Sequence, residues 1–121
     1  MTTDEITTDE ITTDEIATGK IDEYRLEQLK SLSSDVRLQI MDWLREPSVH
    51  FSDQVTGDPD EMGVCVSLVA KKLGFSQPTT SRHLQLLLRA GLVKVNRYHS
   101  WSFYYRDEAE IARFRRWIST I

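Results

Sequence analysis

FSQPTTSRHLQLLLRAGLV, residues 75–93, carries the punctuation of one helix from entry to exit. Ser76 supplies the side-chain oxygen of an N-cap, and Pro78 falls in the first turn, where a missing N–H costs nothing. Thr80, Leu84, Leu87 and Leu88 recur at helical spacing and mark a buried side, and Gly91 closes the element. Upstream, Val64 to Leu73 predicts another helix, with Val66, Val69 and Leu73 inward, Lys71 and Lys72 outward, and Gly74 as its stop. Only Gly74, Phe75 and Ser76 separate the two, a tight turn that fixes how the second helix is presented.

Outward from this pair, Leu92 to Arg97 and Trp101 to Tyr105 are rich in Val, Phe, Trp and Tyr and are joined by Tyr98, His99 and Ser100, which predicts a hairpin. Asp107 begins a last helix with Ile111, Phe114, Trp117 and Ile118 along one face. Towards the amino terminus, Ile21, Tyr24, Leu29 and Leu32 predict a first helix ending near Ser33 and Ser34. Ser34 then caps a second, with Val36, Ile40, Trp43 and Leu44 inward and Pro47 at its end. Residues 46–63, EPSVHFSDQVTGDPDEMG, read as a long loop with little reason for a regular element. The expected class is mainly α with a β-hairpin, in the order helix-helix-helix-helix-hairpin-helix.

A chain of 121 residues has room for one domain of modest core. No apolar run approaches the ~20 residues of a membrane helix. The amino terminus lacks a secretory signal and Cys65 is the only cysteine, so no intrachain disulfide forms and a reducing cytoplasm fits. TTDEI occurs three times in residues 1–16, followed by ATGKI, and residues 1–20 read as a disordered acidic tail ahead of a domain spanning 21–121. A period of five gives neither a helix nor a strand a continuous apolar stripe. Such a tail either solubilises, competes with DNA for a basic surface, or is modified on its threonines.

The formal charge of −4 hides a division: residues 1–16 hold six acids and no Lys or Arg, leaving +2 on the remainder. Between Glu61 and Asp107 there is no acid, while Lys71, Lys72, Arg82, Arg89, Lys94, Arg97 and Arg106 supply seven positive charges. This is a candidate phosphate-facing surface. On the second helix of the pair, Ser76, Gln77, Thr79, Ser81, Arg82 and Gln85 lie on or beside the polar face. Gln offers adenine a donor and an acceptor, and Arg offers guanine a two-donor fork. Lys71 and Lys72, with Asn96, Arg97 and His99 of the hairpin, are candidates for backbone contacts in double-stranded DNA. His83 reads as a structural hydrogen-bonding residue.

The alternative is a module of the same fold that contacts protein, which would display apolar residues where this helix displays Gln77, Ser81, Arg82 and Gln85. Catalysis is not expected, because the chain has no phosphate-cradling glycine loop and no Cys-His or Ser-His-Asp constellation.

Residues 75–93 resemble the helix-turn-helix of the ArsR-type winged-helix repressors in their Ser-Gln-Pro start, Ser-Arg-His-Leu centre and Ala-Gly-Leu-Val exit. SLSSDVRLQIMDWL, residues 31–44, resembles the family's second-helix entry, with Ser34-Asp35 where Asp-Pro is common. The likeness runs from about Leu26 to Arg106. It implies a homodimer formed by the first and last helices, which makes Tyr24, Leu29, Ile111, Phe114, Trp117 and Ile118 the dimerisation candidates. It also implies repression from an inverted-repeat operator, relieved by a signal. Many members bind metal through two cysteines at the start of the third helix, but here Cys65 stands with Ser67 in the second place. One thiol cannot supply three or four ligands, and the last helix has no His, so neither metal nor cofactor is expected. Cys65 is a redox candidate whose better reading is a buried, inert thiol. His50, Asp53, Asp58, Asp60 and Glu61 match no standard calcium loop. An unidentified small-molecule inducer, or none, is the expectation.

Overall fold

The computed structural model of the chain describes residues 22–121. The TTDEI repeats, the disorder expected of residues 1–20 and the inward role expected of Ile21 lie outside the described residues. Helix α1 (Glu23–Leu32) starts where the Asp22 carboxylate accepts the amides of Tyr24 at 3.1 Å and Arg25 at 3.3 Å. Helix α2 (Asp35–Arg45) starts where Ser34 Oγ accepts the Arg37 amide at 3.2 Å. Both caps satisfy donors that a first helical turn leaves free. On α2, Ile40, Met41 and Leu44 are buried and Val36 and Trp43 pack at the margin of the core, as the sequence pattern predicts.

Helix α1 departs from the expected apolar stripe. Tyr24 is 43% exposed, Leu29 and Leu32 are only partly buried, and the positions it buries are Gln28 and Ser31. The reason lies opposite them, where the chain presents a carboxylate and a carbonyl. Gln28 Nε2 donates to the Ala90 carbonyl at 3.0 Å and to Glu110 at 2.8 Å, and Arg25 pairs with Glu110 at 2.7 Å. Arg113 donates to the other Glu110 oxygen at 2.8 Å. Burial alone would raise the Glu110 pKa, but hydrogen bonds from Gln28, Arg113, Arg25 and Tyr24 overcome it and hold the carboxyl at about 2.

Residues 46–63 are more ordered than a plain loop. They hold two single turns, α3 (Pro47–His50) and α4 (Pro59–Met62), each with Pro in its first turn. Asp58 caps the second at 2.9 Å, and Asp60 accepts the Ser48 amide at 3.1 Å, tying one turn to the other. Phe51 between them is 2% exposed and meets Trp43 edge to face at 6.2 Å. Gln54 donates to the Gly57 and Gly63 carbonyls and accepts the Cys65 amide at 3.0 Å, closing the segment on itself.

The remaining elements are β1 (Val64–Cys65), α5 (Val66–Leu73), α6 (Gln77–Arg89), β2 (Val93–Tyr98), β3 (Trp101–Arg106) and α7 (Glu108–Ile118). The helix expected from Val64 therefore begins two residues later, because Val64 and Cys65 pair with Tyr104 and Phe103. The hairpin becomes an antiparallel sheet of order β1-β3-β2. Gly63 permits this third strand: its φ is +95°, and a Cβ there would stand 2.7 Å from the Tyr104 carbonyl oxygen. Ile40, Leu44, Val69, Leu84, Leu87, Leu92 and Phe114 form one core between helices and sheet. Among the described residues no helix is long and apolar enough to cross a membrane.

Candidate nucleic-acid interface

The turn between α5 and α6 is built from the backbone. Gly74, at φ 77°, donates to the Ala70 carbonyl at 2.9 Å, and Phe75 donates to the same carbonyl at 3.1 Å. This left-handed stop lets the chain reverse within three residues. Ser76 then caps α6, accepting the Thr79 amide at 3.3 Å, while the Thr80 hydroxyl donates back to the Ser76 carbonyl at 2.9 Å. Thr80, Leu84 and Leu87 are buried beneath, so the orientation of α6 is locked by the core.

The opposite side of α6 is polar. Ser76, Gln77, Arg82 and Gln85 are exposed, and Thr79 and Ser81 are half-buried. Gln77, Ser81 and Gln85 follow one another at helical i, i+4 spacing, with Arg82 beside them. The Thr79 hydroxyl accepts from Ser76 Oγ at 3.0 Å and from Arg82 Nη2 at 3.3 Å, so a short chain of hydroxyls steers the guanidinium towards the amino-terminal end of the helix. At that end the unpaired amides and the helix dipole favour an anion.

Beneath the helix, Arg37 Nε donates to the Ser31 carbonyl at 2.6 Å and its Nη1 lies 3.0 Å from His83 Nδ1. Burial, followed by the charges of Arg37 and Arg82, pushes the His83 pKa down, so a neutral ring accepts from Arg37. The structural role expected of His83 takes this form. The role of Arg37 as a clamp needs a partner 46 residues away, which spacing alone does not reveal.

Strands β2 and β3 meet at a two-residue turn, His99 and Ser100, with His99 at φ 55°. Tyr98 thus belongs to β2 rather than to the connection, opposite Trp101. Arg97 is exposed and its Nη1 donates to Ser102 Oγ across the strands at 3.0 Å. His99 is exposed at the tip, 4.3 Å edge-on from Tyr98. Asn96 donates its amide to the Met62 carbonyl at 3.0 Å, fastening the hairpin to α4. Tyr98 and Trp101 are 59% and 44% exposed at the tip, a pair of aromatic groups facing solvent at the end of the hairpin.

The seven-cation surface expected from the acid-free stretch needs correction. Arg106 is held by Glu108 at 2.8 Å and by the Met41 carbonyl at 3.1 Å, Lys94 by Asp107 at 3.6 Å, and Arg89 lies 4.0 Å from Glu27. Acids outside the acid-free stretch, from Glu108 two residues beyond Arg106 to Glu27 sixty-two residues before Arg89, meet these three. Lys71, Lys72, Arg82 and Arg97 form no ion pair among the described residues. Lys71 and Lys72 border a cleft of about 220 Å³ with His50, Phe51, Asp53 and Leu68, and the Lys72 ammonium sits 5.3 Å from the Trp43 ring centroid. A second cleft, of about 320 Å³, lies between Cys65, Ser67, Gln77, Trp101 and Ser102. Cys65 is buried, with its sulfur 3.3 Å from Ser67 Oγ.

Tyr24 and residues of α7 were the dimerisation candidates. Tyr24 is exposed, and Leu29, Trp117 and Ile118 are partly buried. Ile111 and Phe114, each 7% exposed, pack into the core of their own chain.

The segment 64–95, which holds α5, the turn, α6 and the start of β2, matches the model of the bacterial regulatory protein, arsR family. Over 95 residues the chain is 42% identical to the uncharacterised HTH-type transcriptional regulator YbzH of Bacillus subtilis, covering 78% of this chain and 95% of that one. The chain belongs to the ArsR family of transcriptional regulators. Its fold agrees with solved ArsR-like structures. The homodimeric winged helix-turn-helix DNA-binding domain from Mycobacterium bovis superposes with a TM-score of 0.57 at 24% identity, over 84% of this chain and 86% of that one. HlyU from Vibrio cholerae gives a TM-score of 0.57 at 26% identity, over 80% and 90%. In the terms of this ArsR-family fold, α5 and α6 are the helix-turn-helix and the β2–β3 hairpin is the wing.

Proposed function

We propose that this ArsR-family regulator is a cytoplasmic homodimeric repressor that reads an inverted-repeat operator with two copies of α6 in successive major grooves. The observation that carries the reading is the face of α6 itself: Gln77, Arg82 and Gln85 stand exposed with no acid among them, over a buried side that fixes their direction. A helix is about 10–12 Å across and the major groove about 12 Å wide, so such a face can reach base edges. Arg97 and His99 of the wing, with Lys71 and Lys72, are assigned to the phosphate backbone, and Asn96 to holding the wing against α4. That two chains pair draws support from the homodimeric Mycobacterium bovis domain; α1 and α7 are assigned to the contact, with Tyr24, Leu29, Trp117 and Ile118 at it and Ile111 and Phe114 supporting it from within.

Recovery of genomic fragments bound by the protein tests the reading, with a palindromic site expected. On that site Arg82→Ala and Gln77→Ala are each expected to weaken binding by about 10-fold or more, and far more than on random DNA. Equal losses on both DNAs would remove the base-reading role. Failure to recover a palindrome would favour a protein-contact module.

A further inference from the structure

Two charge distributions in this chain are complementary. Residues 1–16 hold six acids, Asp4, Glu5, Asp9, Glu10, Asp14 and Glu15, with no Lys or Arg. On the folded part, Lys71, Lys72, Arg82 and Arg97 around the helix-turn-helix and wing have no ion pair among the described residues and lie in a stretch, 62–106, that carries no acid, whereas the unpaired Lys30, Arg115 and Arg116 lie on α1 and α7, helices that carry acids of their own. We propose that the acidic repeats occupy the polar face of α6 and the adjoining wing when DNA is absent, acting as a tethered competitor for the nucleic acid. The inference rests on the DNA-binding reading of that face.

An extended segment has the reach. The chain enters the fold at Asp22, and α1 is fastened beside the carboxyl end of α6 by the bond from Gln28 to Ala90. Helix α6 has 13 residues, so its amino-terminal end lies roughly 20 Å further on. Asp4 precedes Asp22 by 18 residues, a span of about 60 Å fully extended and still about 27 Å if wound as a helix. Each exposed ion pair is weak by itself. Tethering supplies the missing strength, because it holds the acids at an effective concentration of order millimolar beside their target.

The competition has a distinctive signature. A segment that must leave the whole face before DNA can dock divides the affinity for every duplex by the same factor. It therefore lowers operator and random-DNA binding equally, unlike the loss of a base contact. It also fades with salt, since the Debye length falls from about 10 Å at 0.1 M to about 3 Å at 1 M.

The test is the full chain with Asp4, Asp9 and Asp14 changed to Asn and Glu5, Glu10 and Glu15 changed to Gln, titrated against a random 30-base-pair duplex by fluorescence anisotropy. The expected result is binding about 3- to 10-fold tighter than wild type at 50 mM salt, with the gap closing by about 0.5 M. Equal affinities at 50 mM salt would overturn the proposal. Amide spectra of the two proteins without DNA provide an independent reading. Beyond the substituted segment itself, shifts confined to residues 76–85 and Arg97 are expected, whereas shifts at Arg115 and Arg116 of α7 instead would overturn the assignment. If neither protein binds DNA while the α6 shifts are present, the DNA reading fails and the tail contact stands.

Discussion

Glu110 shows how a single side chain can escape a pattern-based reading and still decide how elements join. It sits near the start of α7, yet it is 6% exposed and receives hydrogen bonds from Gln28, Arg25 and Arg113. Apolar periodicity looks for Leu and Ile, so a helix whose inward residues are Gln28 and Ser31 is misread on the side that matters. The pKa gives the energetic sign. The hydrogen bonds hold the folded Glu110 carboxyl at about 2, below its ordinary value of 4.5, so its ionised form is favoured by folding. Its contribution, about 3 kcal/mol from that difference, is fully present above pH 4.5 and is lost as pH falls from there towards 2. Glu110→Gln is expected to lower unfolding free energy by about 2–3 kcal/mol at pH 7, measured by urea titration. The difference from wild type should narrow steadily between pH 4.5 and 2.5, and a constant offset across that range would show that shape rather than charge holds the three helices together.

At the scale of elements, the helix-turn-helix was legible because each of its signals is local. Ser76, Pro78, Gly74 and the spacing of Thr80, Leu84 and Leu87 act within one or two turns, and the structure has all of them in the expected places. What sequence reasoning missed depends on pairing at a distance. A two-residue strand has no period to detect, and β1 exists only because Val64 and Cys65 meet Tyr104 and Phe103 some forty residues later. The turns α3 and α4 did carry a local sign, a proline at the start of each, but their acids and glycines suggested an open loop. The cap on α6 separates stability from recognition. Ser76→Ala removes the acceptor for the Thr79 amide and should cost about 1 kcal/mol in stability. Ser76→Asp keeps a competent cap and should stay within about 0.5 kcal/mol of wild type, while placing a negative charge where the proposed reader meets phosphate. Thermal unfolding together with DNA titration checks both. Weak DNA binding by the Asp variant at unchanged stability is the expected outcome, and undiminished binding would move the phosphate away from this helix end.

Across the whole molecule, the net charge of −4 is a poor guide to what the surface attracts, because opposite charges are sorted by position. Acids gather in the first sixteen residues, and others fold back onto Arg89, Lys94 and Arg106. The sequence could reveal that residues 62–106 contain no acid, but not that three of their seven cations would be matched by Glu27, Asp107 and Glu108. Salt dependence measures which cations remain for DNA, since each phosphate neutralised releases condensed counterions and contributes about 0.9 to the slope of log K against log salt. Arg97, exposed and bonded only to Ser102 across the wing, is assigned to such a contact. Arg97→Ala should weaken operator and random DNA alike and reduce the slope by about 0.9. Arg106→Ala gives the opposite result: its side chain is 11% exposed between Glu108 and the Met41 carbonyl, so its loss should destabilise the fold and leave the slope unchanged. The two variants have the same formal charge, so a theory based on net charge predicts identical slopes for both. Different slopes would show that the ion pairs, rather than the cation count, determine which part of the surface DNA meets.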